Sequence, residues 1–135
     1  MNVYKDERLI KVETDLKRCR ELSVLIYQEE QEVKKIKQDY MTIKSIDELN
    51  EIDIVIIEDL VIPHESKITK YSKERDKLIN KYFSKIVKLK QTEKDIVLHY
   101  YIDNIPIKII TTEIKLEERQ VRNLKKRALE KLAQE

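Results

Sequence analysis

The chain has 135 residues, of which 40% are charged and 41% are apolar, and its formal net charge is only +2. It contains no Gly and has only two prolines, Pro63 and Pro106, a composition that argues against α/β and all-β folds because both need frequent turn residues. The apolar fraction is too high for a disordered chain. Cys19 is the single cysteine, which excludes a disulfide framework and a paired-cysteine metal site. We therefore expect an all-α protein, and no residue pattern points to a cofactor or a metal ion.

The charge is unevenly distributed along the chain. Residues 45–62 carry six acidic and no basic residues, 64–90 carry nine basic against three acidic, and 119–131 carry six basic against one acidic. The first nine residues lack the apolar core of a signal peptide, and no apolar run is long enough to span a bilayer. These features predict a cytoplasmic protein that has no membrane partner and has basic blocks in its second half.

The N-terminal third has the spacing of a long helix. From Leu9 to Ile43 apolar residues recur at three- and four-residue steps, which predicts one amphipathic helix or two helices with a soft break between them. Cys19 lies on this apolar stripe and is expected to be a small core residue. Because so long a helix needs a partner, we expect it to pack antiparallel on a second helix of the chain or to form a coiled-coil-like homodimer.

The middle of the chain is the hardest part to interpret. Ser45 and Glu48 have the spacing of a capping box, and the β-branched run after Glu51 fits a helix or an extended connector. Pro63 is expected to end this segment, and a second, Lys-rich helix is expected to begin near Ser66. The predicted division is therefore 1–62 for a long helix and an acidic connector, 63–90 for a linking helix, and 91–135 for a C-terminal domain.

The C-terminal domain is predicted to contain three helices. Thr92 is the candidate N-cap of the first helix, which continues to about residue 101. Asn104 tolerates the left-handed conformation of a turn, and Pro106 suits the first turn of the next helix. A break at Lys115 precedes a longer, basic helix that starts near Glu117, whose side chain can accept hydrogen bonds as the cap.

The last helix has one apolar and one polar side. Val121, Leu124 and Ala128 are spaced to face the core. This spacing leaves a set of polar residues pointing outward, and a recognition helix in the major groove needs such residues because Arg, Asn and Glu can read base edges. The candidate base-reading residues are Glu118, Arg119, Gln120, Arg122, Asn123 and Lys126. Lys125 and Arg127 lie later, where contacts to phosphate or to a protein partner are expected.

Residues 89–132 resemble region 4 of bacterial sigma factors, the part that reads the −35 promoter element. The resemblance rests on the runs 92–103, 118–124 and 127–132, together with Lys108 and the isoleucines at 110 and 114. It implies a helix-turn-helix in which Glu118, Arg119, Arg122 and Asn123 face bases and Lys108 lies near phosphate. The chain departs from the pattern at Asn104, Thr111, Lys115 and Glu117, where the family has Gly, Ala, Gly and Ser or Thr.

The overall layout resembles the small phage-encoded transcriptional activators of the RinA/ArpU type. It implies a sequence-specific DNA-binding regulator associated with the nucleoid, whose partners are double-stranded DNA and RNA polymerase. The alternative is an adaptor that uses the sigma-like unit to bind protein, with the acidic segment 45–62 covering the basic last helix. An enzyme is not expected, since the sequence offers no Gly-rich phosphate loop and no local Ser/His or Cys/His pairing.

Overall fold

The computed structural model describes residues 3–43 and 48–134, with side chains from Glu7 onward, and this part of the chain is helical without strands. The helices are α1 (Val3–Ile43), α2 (Glu51–Ile86), α3 (Gln91–Val97), α4 (Ile107–Ile114) and α5 (Glu118–Leu132). A π-helical turn, Leu98–Ile102, directly continues α3. The expected all-α fold is confirmed.

Helices α1 and α2 form an antiparallel hairpin, as the apolar spacing predicts. Their pairing is marked by an ion pair between Arg18 and Glu74, with 3.0 Å between Nη2 and Oε2, near the middle of the two helices. Further along α1, the Glu29 carboxylate contacts the His64 ring. α1 is continuous, so the soft break considered for it does not occur. None of the helices in residues 3–43 and 48–134 has an apolar stretch long enough to cross a bilayer.

The start of α2 corrects two sequence-based expectations. The helix begins at Glu51, so the acidic stretch 51–62 forms its first turns and is not a connector. Asn50 is the N-cap in a capping box with Asp53, while the box expected at Ser45 begins outside the described residues. Pro63 lies inside α2 and does not end it. A proline costs a helix one backbone hydrogen bond, and packing of a helix this long on α1, with Val61 buried, outweighs that loss.

The turns of the C-terminal part follow the expected pattern, apart from one cap. The N-cap of α3 is Lys90, which makes no side-chain cap bond, so Thr92 lies within the first turn and is not the cap. Asn104 and Lys115 adopt the left-handed conformation, with φ of 55° and 62°. Pro106 is the N-cap residue of α4. These turns separate α3, α4 and α5, whose buried residues pack together.

Two groups of buried side chains hold the fold together. The smaller one joins α3, α4 and α5 through Ile96, Ile107, Ile110 and Val121. The larger one joins the α1–α2 hairpin to the C-terminal helices, because residues of α1 and α2 share it with residues of α3, the π-helical turn and α5. Its members include Val12, Leu16, Tyr82, Ile86, Val97, Tyr101, Ala128, Leu129 and Leu132. The C-terminal unit is thus packed directly on one end of the α1–α2 hairpin.

Candidate nucleic-acid interface

The turn between α4 and α5 sets the orientation of the last helix. Lys115 closes α4 in the left-handed conformation, and its N–H donates to the Thr111 carbonyl over 2.8 Å. Glu117 then begins α5 with a capping box: its carboxylate accepts from the backbone N–H of Gln120, and its own N–H donates to Gln120 Oε1 over 3.0 Å. The cap expected at Glu117 is confirmed. Both ends of this short link are therefore hydrogen-bonded, which fixes where α5 starts.

The two sides of α5 are as different as the sequence predicts. Val121 and Ala128 are completely buried and Leu132 nearly so, while Leu124 is half-buried. The opposite side is exposed and holds most of the candidate base-reading residues. The exposed candidates on α5 are Glu118, Arg119, Gln120, Arg122, Asn123, Lys126 and Arg127. The helix thus presents a polar surface supported by a packed apolar one.

Arg122 does not extend freely into solvent. Its guanidinium donates to Glu118 Oε1 through Nη2 over 2.7 Å and through Nε over 3.1 Å, one helical turn away. Both side chains are about half exposed. An exposed i,i+4 pair of this kind contributes only about 0.3–0.5 kcal/mol, so a stronger acceptor can displace Glu118 from Arg122.

A basic cleft lies between the start of α5, the start of α4 and helix α1. Its volume is about 300 Å³, and Lys108, Arg122 and Glu118 line it together with Arg20 and Tyr100. Arg20 comes from α1, and its guanidinium lies 4.0 Å from the centre of the Tyr100 ring and donates through Nε to Asn104 over 2.7 Å. Sequence reasoning missed Arg20, because only the packing of α1 on the C-terminal unit brings it there. The one signal in the sequence was its place beside the apolar stripe of α1.

Two of the candidate residues have structural contacts as well. Lys125 is half-buried, and its ammonium lies 4.3 Å from the centre of the Tyr100 ring. Burial lowers the pKa of Lys125, and the nearby Arg122 and Arg20 add to this effect while Tyr100 opposes it. The side-chain oxygen of Gln120 caps α5. Lys125 thus lies apart from the exposed polar residues and packs the middle of α5 onto Tyr100 and Tyr101.

The acidic stretch 51–62 does not cover α5. It lies beside the last turns of α1, where Ile57, Glu58 and Val61 share a cleft with Lys37. α5 meets the other end of α2, where the Lys85 ammonium donates to the Leu132 carbonyl over 3.2 Å. The expectation that this stretch masks the basic helix is therefore wrong for this conformation, since the two lie at opposite ends of α2.

The candidate interface thus consists of the exposed side of α5 and the adjoining basic cleft. No protein-family model, curated protein or solved structure matches this chain. Its function has to be inferred from these residues and their chemistry.

Proposed function

We propose that this protein is a sequence-specific DNA-binding transcription regulator in which α4, the turn at Lys115 and α5 act as a helix-turn-helix. The observation that carries the proposal is the set of exposed polar side chains on the first three turns of α5. A recognition helix enters the major groove with its N-terminal residues and needs hydrogen-bonding groups there. Arg119, Arg122 and Asn123 supply donors that suit guanine and adenine.

The basic cleft supports this proposal by offering a place for the DNA backbone. Lys108 is exposed in the first turn of α4 and lines the cleft, and its ammonium makes no hydrogen bond or ion pair with the part of the chain that the structure describes. Phosphate contacts position a protein on the duplex without reading its sequence. In this arrangement Lys108 and Arg20 hold a phosphate beside the groove that α5 enters.

The resemblance of residues 89–132 to sigma region 4 indicates which kind of regulator the proposal describes. The protein then acts as a phage or prophage activator that works with RNA polymerase at a promoter in the nucleoid. The left-handed turn at Lys115 and the cap at Glu117 support this resemblance, since both occupy positions where the family pattern has Gly and a capping residue.

The test is a binding selection on random duplex DNA at physiological salt, read by sequencing. We expect an enriched motif for the full chain. Arg122→Ala should cost about 1–3 kcal/mol and relax the motif at one base pair. Lys108→Ala should weaken binding equally on all sequences. It should also reduce the slope of log binding constant against log salt concentration by about 1, the value for one phosphate contact. Lys70→Ala, on the exposed side of α2, is the matched control and should leave the motif and the affinity unchanged.

A failure of this selection has a defined meaning. If no motif is enriched and binding disappears as salt rises, α5 is only a basic surface and the DNA-reading role is wrong. The alternative function is then a protein-interaction adaptor. Large apolar side chains exposed along the first turns of α2, at the other end of the hairpin from the C-terminal unit, offer such an adaptor a further surface for a protein partner.

A further inference from the structure

The far end of the α1–α2 hairpin exposes an unusual amount of apolar surface. Within the first turns of α2, six large apolar side chains are 40% to 70% exposed: Ile52, Ile54, Val55, Ile56, Leu60 and Ile62. Met41 and Ile43, in the last turn of α1, are exposed beside them. We call this set of eight residues the tip surface. It lies at the opposite end of the hairpin from the C-terminal unit.

The tip residues of α2 lie on more than one side of that helix. Consecutive residues of an α-helix point about 100° apart, so Ile54, Val55 and Ile56 cannot share one face. Val61 is buried in α2, where the end of α1 covers a single side of the helix. A helix that is apolar on all sides is normally covered on all sides. From Glu65 to the end of α2 the exposed residues are polar, such as Lys70 and Lys73, apart from Phe83, so the run of exposed apolar residues lies at the tip.

The extent of the tip surface suits a protein interface. Eight large apolar side chains are exposed together there, and a large exposed apolar patch on a soluble protein marks an interaction site. A cleft of about 340 Å³ adjoins it and is lined by three apolar residues, Ile57, Val61 and Ile62, and three charged ones, Lys37, Glu58 and Glu65. Such a cleft can take an apolar side chain of the partner.

The charges at the tip favour a second copy of this chain as the partner. The α2 side carries the exposed acids Glu51, Glu58 and Asp59 and no basic residue before Pro63. The adjoining part of α1, residues 34–39, carries three exposed lysines, at 34, 35 and 37, against one exposed acid, Asp39. In a two-fold dimer the same patch of each copy meets the other. The acids of one tip can then lie opposite the lysines of its partner around a shared apolar centre.

We propose that the protein is a homodimer whose subunits join tip to tip, with the ends of both hairpins forming a four-helix arrangement. The two C-terminal units then lie at opposite ends of the dimer. The dimer does not depend on the proposed DNA binding. If both hold, the selected DNA motif contains two related half-sites.

Analytical ultracentrifugation of the full chain tests the dimer directly. The wild-type protein should sediment at twice its 16.3 kDa mass. Ile52→Asp combined with Ile62→Asp should give a monomer with unchanged far-ultraviolet circular dichroism, because both residues are exposed and, at position 52, an acid in the first turn of the helix is favourable. The matched control is Ile10→Asp combined with Phe83→Asp, two exposed apolar residues outside the tip, which should stay dimeric.

A second pair of variants tests the charge arrangement. Lys34→Glu with Lys35→Glu should raise the dissociation constant of the dimer at least tenfold, since acids would then face acids. Lys70→Glu with Lys73→Glu makes the same change away from the tip and should leave that constant unchanged.

Each adverse result overturns the proposal. A wild-type monomer at all concentrations would mean that another protein occupies the tip surface. A dimer that survives the Ile52 and Ile62 changes would place the interface elsewhere. Neither result bears on the proposed DNA binding, which the sequence selection tests separately, because a monomer can still enrich a single motif.

Discussion

Lys115 has a left-handed backbone conformation, which is unfavourable for a residue with a Cβ atom. It has φ of 62° and ψ of 41° between α4 and α5, a conformation that costs a residue with a Cβ roughly 1–2 kcal/mol. Glycine adopts it freely, although the unfolded chain then has more entropy to lose, at about 0.5–1 kcal/mol. The sequence resemblance identified this position, since the sigma pattern has Gly where this chain has Lys115.

We therefore expect Lys115→Gly to stabilise the protein by up to about 1 kcal/mol, the difference between the relieved strain and the added entropy. Urea unfolding monitored by circular dichroism measures this change. Lys115→Ala is the control, since alanine keeps the Cβ and should give little gain. A loss of stability with glycine would mean that the lysine side chain makes a contribution larger than the strain.

Among the helices, the caps were harder to predict than the faces. The apolar spacing correctly indicated the packed side of α5 and that of α1 as far as Ile26, because a 3.6-residue period reflects burial directly. Ile43, at the end of the predicted α1 stripe, is exposed. The prediction of where α2 starts was wrong. A β-branched, acidic run followed by Pro63 is typical of a connector when the elements that pack on it are unknown. The packing of that run on the end of α1 is a tertiary effect, and local sequence does not encode it.

The N-cap of α2 can be tested against the cap that the sequence suggested for α3. Asn50→Ala removes the side chain that accepts from the Asp53 N–H over 3.0 Å, and we expect a loss of about 1 kcal/mol. Thr92→Ala should be close to neutral, because Lys90 is the N-cap residue there. Urea unfolding of both variants gives the comparison, and equal losses would contradict the assignment of these caps.

The pairing of α1 with α2 should depend on pH through Asp15. This carboxylate is buried and accepts from the Tyr82 hydroxyl and from the Lys81 ammonium, the latter over 3.0 Å. Burial on its own would raise the pKa of Asp15, but these two bonds together lower it below its ordinary value. A lowered folded-state pKa stabilises the fold above the unfolded-state pKa near 4, and this contribution is lost as the pH falls through the folded-state value.

Asp15→Asn should therefore lower the free energy of unfolding by about 1–3 kcal/mol at pH 7, and its difference from the wild type should shrink below about pH 4. The measurement is urea unfolding across this pH range. Asp76→Asn removes an exposed carboxylate from α2 and should change stability by less than about 0.5 kcal/mol at pH 7. A difference for Asp15→Asn that does not vary with pH would show that the charge of Asp15 has no part in the pairing.

At the level of the whole molecule, the all-α fold was predictable from the sequence, and the packing of its parts on one another was not. The polar side of α5 followed from spacing alone. Arg20 joined the candidate interface only because α1 crosses the C-terminal unit, where Ser23 also donates to the Ile102 carbonyl over 2.6 Å. Such contacts link positions about eighty residues apart, and no local pattern in one sequence reports them.

The same packing makes a prediction about the C-terminal unit in isolation. Within residues 91–135, the apolar group around Ile110 and Val121 stays complete, but Val97, Tyr101 and Leu129 lose the α1 and α2 side chains that bury them. The Glu93–Lys131 ion pair, with 2.7 Å between Oε1 and Nζ, remains inside the fragment. A fragment that exposes so much of its core should keep helical content without cooperative packing.

We expect fragment 91–135 to show substantial far-ultraviolet ellipticity, to bind the dye ANS, and to unfold over a broad range of urea concentration, while the full chain unfolds in one sharp transition. The comparison can be sharpened with the full-length variant Leu16→Ala, which removes one buried α1 side chain from the shared core and should cost about 2–5 kcal/mol. Sharp, cooperative unfolding of the fragment, together with a negligible effect of Leu16→Ala, would mean that the C-terminal unit folds alone. The hairpin would then be an attachment to that unit, with no share in its stability.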